Sequence, residues 1–418
     1  MRVLFLNNFF YLRGGSERVL FEEMRMLKEA GHEVAVFSRA NRQNEASEYE
    51  RYFPPDIDTE TGGISLRTLK TAKELIYSAS AKEGIEKLVE QFKPDIAHAH
   101  NIYGRLSLSV LDGLKEKRVP TVLTLHDYKL LCPNYLMLNH GEICERCKGR
   151  KFRNAFYTRC HKNSYPASAI YAFESWFNHS FGKYNSVRAF ISPSRFLHEK
   201  AVDFGLDPKR VDFIPNFIDT KKIPISDAPG AHLLYLGRLS PEKGITTLLR
   251  AFTILCSVHL SPKLGNIDIP LLIVGDGPLR RDLEAAFARS DDHIRFSGYL
   301  SGKLLKDAIT GARAVVMPSE WYENAPLSLI EAFAYGKPVI GTRIGGIPEM
   351  IDDGLNGLLF EPGNVEDLKD KLAIAMNLSD MEIRKMGMAA REKIEKEYNA
   401  ELHYERLVAV YQRAIGKA

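Results

Sequence analysis

His232-Leu-Leu-Tyr-Leu-Gly237 runs directly into Arg238-Leu-Ser-Pro-Glu-Lys-Gly244 and then into a stretch that carries Leu248, Leu249, Phe252 and Leu255. The first piece is apolar beyond its opening histidine, the pattern of a strand buried on both faces of a parallel sheet. The last piece repeats its apolar residues at helical spacing over Thr246–Leu255. Between them lies a turn bounded by glycines and carrying two cations. Strand, loop and helix in this order form one half of a βαβ unit.

The same grammar extends in both directions. Later apolar runs are Pro270–Gly275, His293–Gly298, Arg313–Pro318 and Lys337–Gly341, with helical patterns at Pro278–Ala288 and Leu327–Tyr335. Earlier runs are Val3–Asn7, Glu33–Ser38, Asp95–His100, Pro120–His126 and Val187–Ser192, with a helix at Glu17–Ala30. The fold class is therefore α/β, with two Rossmann-like, doubly wound parallel-sheet domains. Ligands of such sheets bind at the carboxyl ends of the strands, and two such domains facing one another would make a cleft for two substrates. The pattern restarts after Ile214-Pro-Asn-Phe-Ile-Asp219, and the polar stretch Thr220–Gly230 suits a linker. The expected domains are 1–219, 220–399 and a closing amphipathic helix, 400–418, able to pack on either.

A chain of 418 residues is too long for one ordinary core. Its 45% hydrophobic and 26% charged residues describe a globular protein, and a net charge of +4 excludes a nucleic-acid binder of the usual strongly basic kind. Met1–Asn7 lacks a cleavage pattern and reads as a buried strand, and no apolar run approaches the ~20 residues of a membrane span. The expected location is cytoplasmic, with contact at the inner face of a membrane as an extension.

Three loops after strands of the second half carry the chemistry. In Gly237–Gly244, Arg238 and Lys243 place two cations at a strand end, which a pyrophosphate requires, although exposed loop cations are common. Gly275-Asp-Gly-Pro278 is a turn that lets backbone approach a nucleotide, and alone it is a weak signal. In Pro318-Ser-Glu-Trp-Tyr-Glu323 through Glu331, Pro326 suits the first helical turn and leaves the N–H groups of Leu327 and Ser328 available for phosphate. Glu323 precedes that helix and Glu331 lies two turns along it, so the pair suits hydroxyls on two sugars better than one metal.

In this order and spacing the three motifs resemble those of retaining glycosyltransferase family four, whose members have the two-domain GT-B fold. The resemblance runs from Gly14-Gly15 to the final helix. It implies that Arg238 and Lys243 grip the donor diphosphate, Glu331 the ribose and Glu323 the transferred sugar. The amides near Leu327 and Ser328 would assist the phosphate. Gly237 belongs to the diphosphate loop, while Gly277, Tyr299 and Leu300 would line the base. Gly14 and Gly15 would admit donor phosphate and acceptor, and His126 would face the reacting sugar; without the match, His126 is a satisfied strand-end histidine. The family implies transfer from a UDP- or GDP-sugar to a glycan, a lipid-linked or a small-molecule acceptor, with no metal required, in polysaccharide or cell-envelope glycan assembly.

Alternatives remain. A non-catalytic GT-B-like binding or scaffold protein would be expected to have lost one of Arg238, Lys243, Glu323 and Glu331. A nucleotide-sugar epimerase is a second possibility, and a nicotinamide enzyme fails because Tyr11-Leu-Arg-Gly-Gly15 is not G-x-G-x-x-G. Asp56-Ile-Asp58 spells the acidic pair of metal-dependent transferases but follows no strand, so it reads as a solvated loop.

Cys132, Cys144, Cys147 and Cys160 fall in one basic insertion, about 132–160, with His140 and His161 nearby. Four thiolates would close a structural zinc site, with free thiols, a labile disulfide or an iron–sulfur cluster as the other readings. Many family members lack the cluster, so it is not needed for transfer. Ser65–Lys93 is helical in period and carries six cations, which fits either a solvated face or anionic lipid.

Overall fold

The structure, a computed structural model, describes residues 1–57, 66–226, 230–259, 269–288 and 293–416. Asp58, Ser65 and part of the expected linker lie outside these residues. The chain divides into two compact units, Met1–Pro215 with His403–Ala418, and Asn216–Leu402.

The first unit is built on six parallel strands: β1 (Arg2–Leu6), β2 (Glu33–Phe37), β3 (Ile96–Ala99), β4 (Thr121–Thr124), β7 (Val187–Ser192) and β8 (Val211–Phe213). Between β4 and β7 lies a two-residue hairpin, β5 (Leu138–Asn139) with β6 (Glu142–Ile143). The sheet order is β2-β1-β3-β4-β7-β8, so the winding reverses between β1 and β3. Val3, Leu4, Phe5 and Leu6 are all fully buried, as an apolar run inside a parallel sheet must be.

The second unit repeats the plan with β9 (His232–Leu236), β10 (Leu271–Val274), β11 (Ile294–Gly298), β12 (Ala312–Met317), β13 (Val339–Thr342) and β14 (Gly357–Phe360), in the order β11-β10-β9-β12-β13-β14. Successive side chains of β9 go to opposite faces. Leu233 and Tyr235 join Leu248, Phe252, Leu368 and Leu372 of the helices Ile245–His259 and Val365–Asn377. Leu234 joins Leu329, Ile330, Phe333, Ala390 and Ile394 of the helices Leu327–Ala334 and Asp380–Glu397. Each such fully buried Leu or Phe contributes roughly 1.5–3 kcal/mol. Here the winding reverses between β9 and β12.

Two features sharpen the sequence reading. Ser65–Lys93 is two helices, Leu66–Ile76 and Ala79–Phe92, because Ser78 takes an extended conformation and caps the second through the N–H of Ala81. The closing helix, Ala400–Ile415, buries His403, Leu407, Val410, Tyr411 and Ala414, and from His403 onward it belongs to the first unit.

Candidate functional site

In the second unit the expected residues gather where the winding reverses. The loop after β9 holds Lys243, the loop after β12 holds Glu323, and Lys243 Nζ lies 2.6 Å from Glu323 Oε1. Ser319 Oγ donates to the same oxygen at 2.6 Å. Burial alone would raise the Glu323 carboxyl, but Lys243, with the Ser319 hydroxyl adding to it, outweighs burial and holds the group ionised, below its ordinary range. Lys243 also sits 5.0 Å from the centroid of the Trp321 ring.

Glycines bring these loops together. Gly244 is left-handed (φ +65°), and a β-carbon there would be driven into the Pro318 carbonyl. Gly275 and Gly277 lie against the backbones of Gly237 and Leu239, with Leu239 N donating to Asp276 O at 2.9 Å. Gly345, also left-handed, lies against the Glu323 backbone, and Gly346 N donates to Glu323 O at 2.7 Å. The motifs that look like separate turns in the sequence are thus stacked main chain on main chain.

Arg238 is exposed at the end of β9; its carbonyl is held by Tyr235 OH at 2.7 Å, and among the described residues its guanidinium has no hydrogen bond or ion pair. Pro326 is extended (φ −69°, ψ 117°) and stands just before the helix Leu327–Ala334 instead of within its first turn. The N–H groups of Leu327 and Ser328 are therefore among those that a helix start leaves without intrahelical partners. Glu331 is half-buried on this helix, Tyr299 is largely exposed after β11, and Leu300 packs on the core.

In the first unit, Gly14 and Gly15 are exposed at the start of the helix Gly15–Glu29, Gly14 in an extended conformation. Asn7 and Asn101 tie the ends of β1 and β3 across the reversal point: Asn101 N donates to Asn7 Oδ1 at 2.9 Å, and Asn101 Nδ2 to Ser16 Oγ at 3.0 Å. His126 follows β4, and its Nε2 is 2.7 Å from Nδ1 of His100 beyond β3. Burial and the neighbouring His100 push its pKa down to about 3, so the ring is neutral at ordinary pH.

Against this geometry, the profile described as "Glycosyl transferases group 1" matches residues 218–393. The profile described as "Glycosyltransferase Family 4" matches residues 13–222, half of the chain. The chain belongs to glycosyltransferase family 4. Among curated family relatives, the sulfoquinovosyl transferase SQD2 of Arabidopsis thaliana is 35% identical over 168 residues, 39% of this chain and 30% of that protein. The amylovoran biosynthesis glycosyltransferase AmsK of Erwinia amylovora is 27% identical over 233 residues, 53% of this chain and 55% of that one. The matches thus span well under two thirds of either relative. The sucrose-phosphate synthase of Thermosynechococcus elongatus superposes over both whole chains with a TM-score of 0.70 at 17% identity. Anabaena Alr3699/HepE, solved in complex with UDP and glucose, gives 0.66 at 18% identity, over 99% of this chain and 100% of that one. At these identities the likeness is one of fold, the GT-B fold.

The zinc expectation does not fit this family 4 chain. All four cysteines of the insertion are free thiols, Cys132 and Cys147 buried, Cys144 and Cys160 half-buried. Among the described residues the group with three ligand atoms within 4.8 Å of one another is Glu23, His98 and His100, and no cysteines form such a set. Burial and the neighbouring thiols push Cys147 up and Cys160 up to about 11. The insertion is held by other means. Asn134 donates to Leu138 O at 2.6 Å and to Cys160 O at 3.2 Å, Lys148 pairs with Asp203 at 2.6 Å, and Cys147, Phe152, Ala155 and Ala172 form a small core.

Two acidic groups complete the picture. Asp56 is committed to Arg105 at 2.6 Å and Asn41 at 3.1 Å, and its companion Asp58 lies outside the described residues. Asp127, which the sequence reading passed over, sits beside His126, and burial pushes its carboxyl up to about 6 despite the N–H of Lys129 at 2.8 Å. Its position one residue beyond a strand-end histidine was the available signal.

Proposed function

We propose that this chain transfers a sugar, with retention and without a metal, from a nucleoside-diphosphate sugar to a glycan, lipid-linked or small-molecule acceptor in polysaccharide or cell-envelope glycan assembly. The observation that carries this is the Lys243–Glu323 pair across the reversal point of the second sheet, with Arg238 exposed on the same loop. A diphosphate laid on that loop meets Arg238, Lys243 and the N–H groups of Leu327 and Ser328, which supply positive potential where a metal would otherwise be needed. Glu323 meets hydroxyls of the transferred sugar, Glu331 the ribose, and Gly277, Tyr299 and Leu300 the base. Gly14, Gly15 and His126 serve the sugar and acceptor from the first unit. The crystallised neighbour that holds UDP and glucose supports a UDP-sugar, with a GDP-sugar as the second choice.

A panel of UDP, GDP, ADP and CMP tests the donor side. One diphosphate at a hundred times its Kd should stabilise the protein by about 2.7 kcal/mol in a thermal-shift assay. Stabilisation by none of the four favours the scaffold reading.

On the acceptor side we place the chain in the cytoplasm, against the membrane face. The helix Tyr165–Ser180 is inverted: Ser168, Glu174, Ser175 and Asn178 point inward, while Phe173 and Trp176 point out. Trp176 is 50% and the following Phe181 63% exposed, and Tyr157 and Tyr165 extend the aromatic face. Exposed Arg150, Lys151, Arg153, Arg159 and Lys162 flank it, a combination that suits anionic lipid. By contrast, Lys82 and Lys87 of the basic helical stretch are paired with Glu116 and Glu83, at 2.6 and 2.7 Å. Phosphatidylcholine vesicles containing phosphatidylglycerol should bind the protein more tightly than phosphatidylcholine alone, and Trp176→Ser should weaken that binding about tenfold. Equal behaviour on both vesicles, or self-association lost in the variant, assigns the face to a protein partner.

A further inference from the structure

Behind His126 the first unit buries a chain of ionisable groups. Glu23 lies on the inner stripe of the helix Gly15–Glu29, beside Val19, Leu20, Met24 and Leu27, and is 1% exposed. Its Oε1 is 3.0 Å from His403 Nε2, and its Oε2 is 3.3 Å from His98 Nδ1 and 3.4 Å from His100 Nε2. His100 Nδ1 then meets His126 Nε2. Burial pushes the Glu23 carboxyl up, but His98, His100 and His403 outweigh it and hold it well below the usual range.

Three ligand atoms this close invite a metal ion. The hydrogen bonds argue for protons instead. Both nitrogens of His98 are already engaged, Nδ1 with Tyr411 OH and Nε2 with Thr124 Oγ1, each at 2.7 Å. That leaves Glu23 and His100, fewer than the three protein ligands of a typical zinc site.

The partners fix where the protons are. His403 Nδ1 faces the Pro215 carbonyl at 2.8 Å and its Nε2 faces the carboxylate, so both nitrogens donate and the imidazolium balances Glu23. Among the described residues neither Glu23 Oε2 nor His100 Nε2 makes a close hydrogen bond; they lie 3.4 Å apart, and because Nδ1 of His98 is already engaged by Tyr411, a proton on His100 Nε2 is what matches the carboxylate. A second proton on His100 would leave a net buried charge, so its Nδ1 is bare and accepts. The proton between the two rings therefore belongs to His126 Nε2.

We propose that Glu23, acting through His100, is a positioning residue that holds His126 as its Nε2-protonated tautomer and makes Nδ1 the basic nitrogen of that ring. The relevance to transfer rests on the reading of His126 as a residue at the transferred sugar. The tautomer itself does not.

The test is nitrogen-15 NMR of the histidine-labelled full chain, with turnover measured as UDP release from UDP-glucose and GDP release from GDP-mannose. The wild type should show His126 protonated at Nε2 and bare at Nδ1 across about pH 6 to 8. In Glu23→Gln, whose amide can donate to His100, the His126 proton should shift between nitrogens. In that variant kcat should fall about 10- to 100-fold, with donor KM within about twofold. A wild-type His126 protonated at Nδ1 overturns the proposal without any variant, as does an unchanged tautomer in folded Glu23→Gln. If the tautomer shifts while Glu23→Gln and His126→Ala both turn over like wild type, the relay stands and the placing of His126 at the sugar fails.

Discussion

Arg238→Ala is expected to lower kcat for sugar transfer about 100- to 1000-fold, while donor KM and the Kd for the free nucleoside diphosphate stay within about threefold. The asymmetry follows from where charge appears. As the sugar–phosphate bond breaks, a further negative charge develops on the departing diphosphate. An exposed guanidinium with no partner among the described residues is free to meet it. On the proposed donor reading, ground-state binding would keep Lys243, the start of the Leu327 helix and the base contacts, and so would survive the loss. The rate change corresponds to about 2.7–4 kcal/mol of transition-state stabilisation. Arg238→Lys should recover only part, since an ammonium cannot reproduce a planar two-pronged grip. Steady-state kinetics with isothermal titration of the nucleotide checks this. A variant that binds tenfold more weakly but turns over normally would make Arg238 a binding residue only.

Gly244→Ala should be the costliest small substitution in the second unit. The residue is left-handed, and the added carbon would be driven into the Pro318 carbonyl and come 3.3 Å from Glu320 Cγ. The conformation costs about 1–2 kcal/mol and the crowding about 1–3 more. At roughly 2–4 °C per kcal/mol for a unit of this size, Tm should fall by about 4–20 °C. Gly354→Ala provides the comparison, because Gly354 is equally left-handed (φ +81°) but has nothing within 4 Å of the new carbon. It should show the conformational share alone, about 1–2 kcal/mol. Since Gly244 adjoins Lys243, its substitution should also abolish nucleotide stabilisation, whereas Gly354→Ala should keep it. Equal Tm losses in the two variants would mean that the crowding is relieved at no cost.

The sequence by itself determined the alternation of buried strands and amphipathic helices, because the period of apolar residues is a local property that burial on both faces of a parallel sheet imposes. It also placed the glycine-bounded, cation-bearing loops after particular strands. It missed β8 and β14, the strands that close one edge of each sheet. Val211–Phe213 and Gly357–Phe360 are only three and four residues long, too short to show a period, and they are strands because a neighbouring edge offers them hydrogen bonds.

Only the tertiary structure decided which groups meet. Lys243 and Glu323 are 80 residues apart and become a pair because two glycines let main chain lie against main chain. The cysteines pointed the other way: despite a spacing suggestive of metal, no three of their sulfurs lie within 4.8 Å of one another among the described residues, and hydrogen bonds already hold the insertion. Glu23 was legible as an oddity, a carboxylate at the position where the stripe of Val19, Leu20, Met24 and Leu27 calls for an apolar side chain. What makes it tolerable is His403, 380 residues away on the last helix. A buried charge is stabilised only by the partners that the fold brings to it, and no local pattern in the chain encodes that meeting.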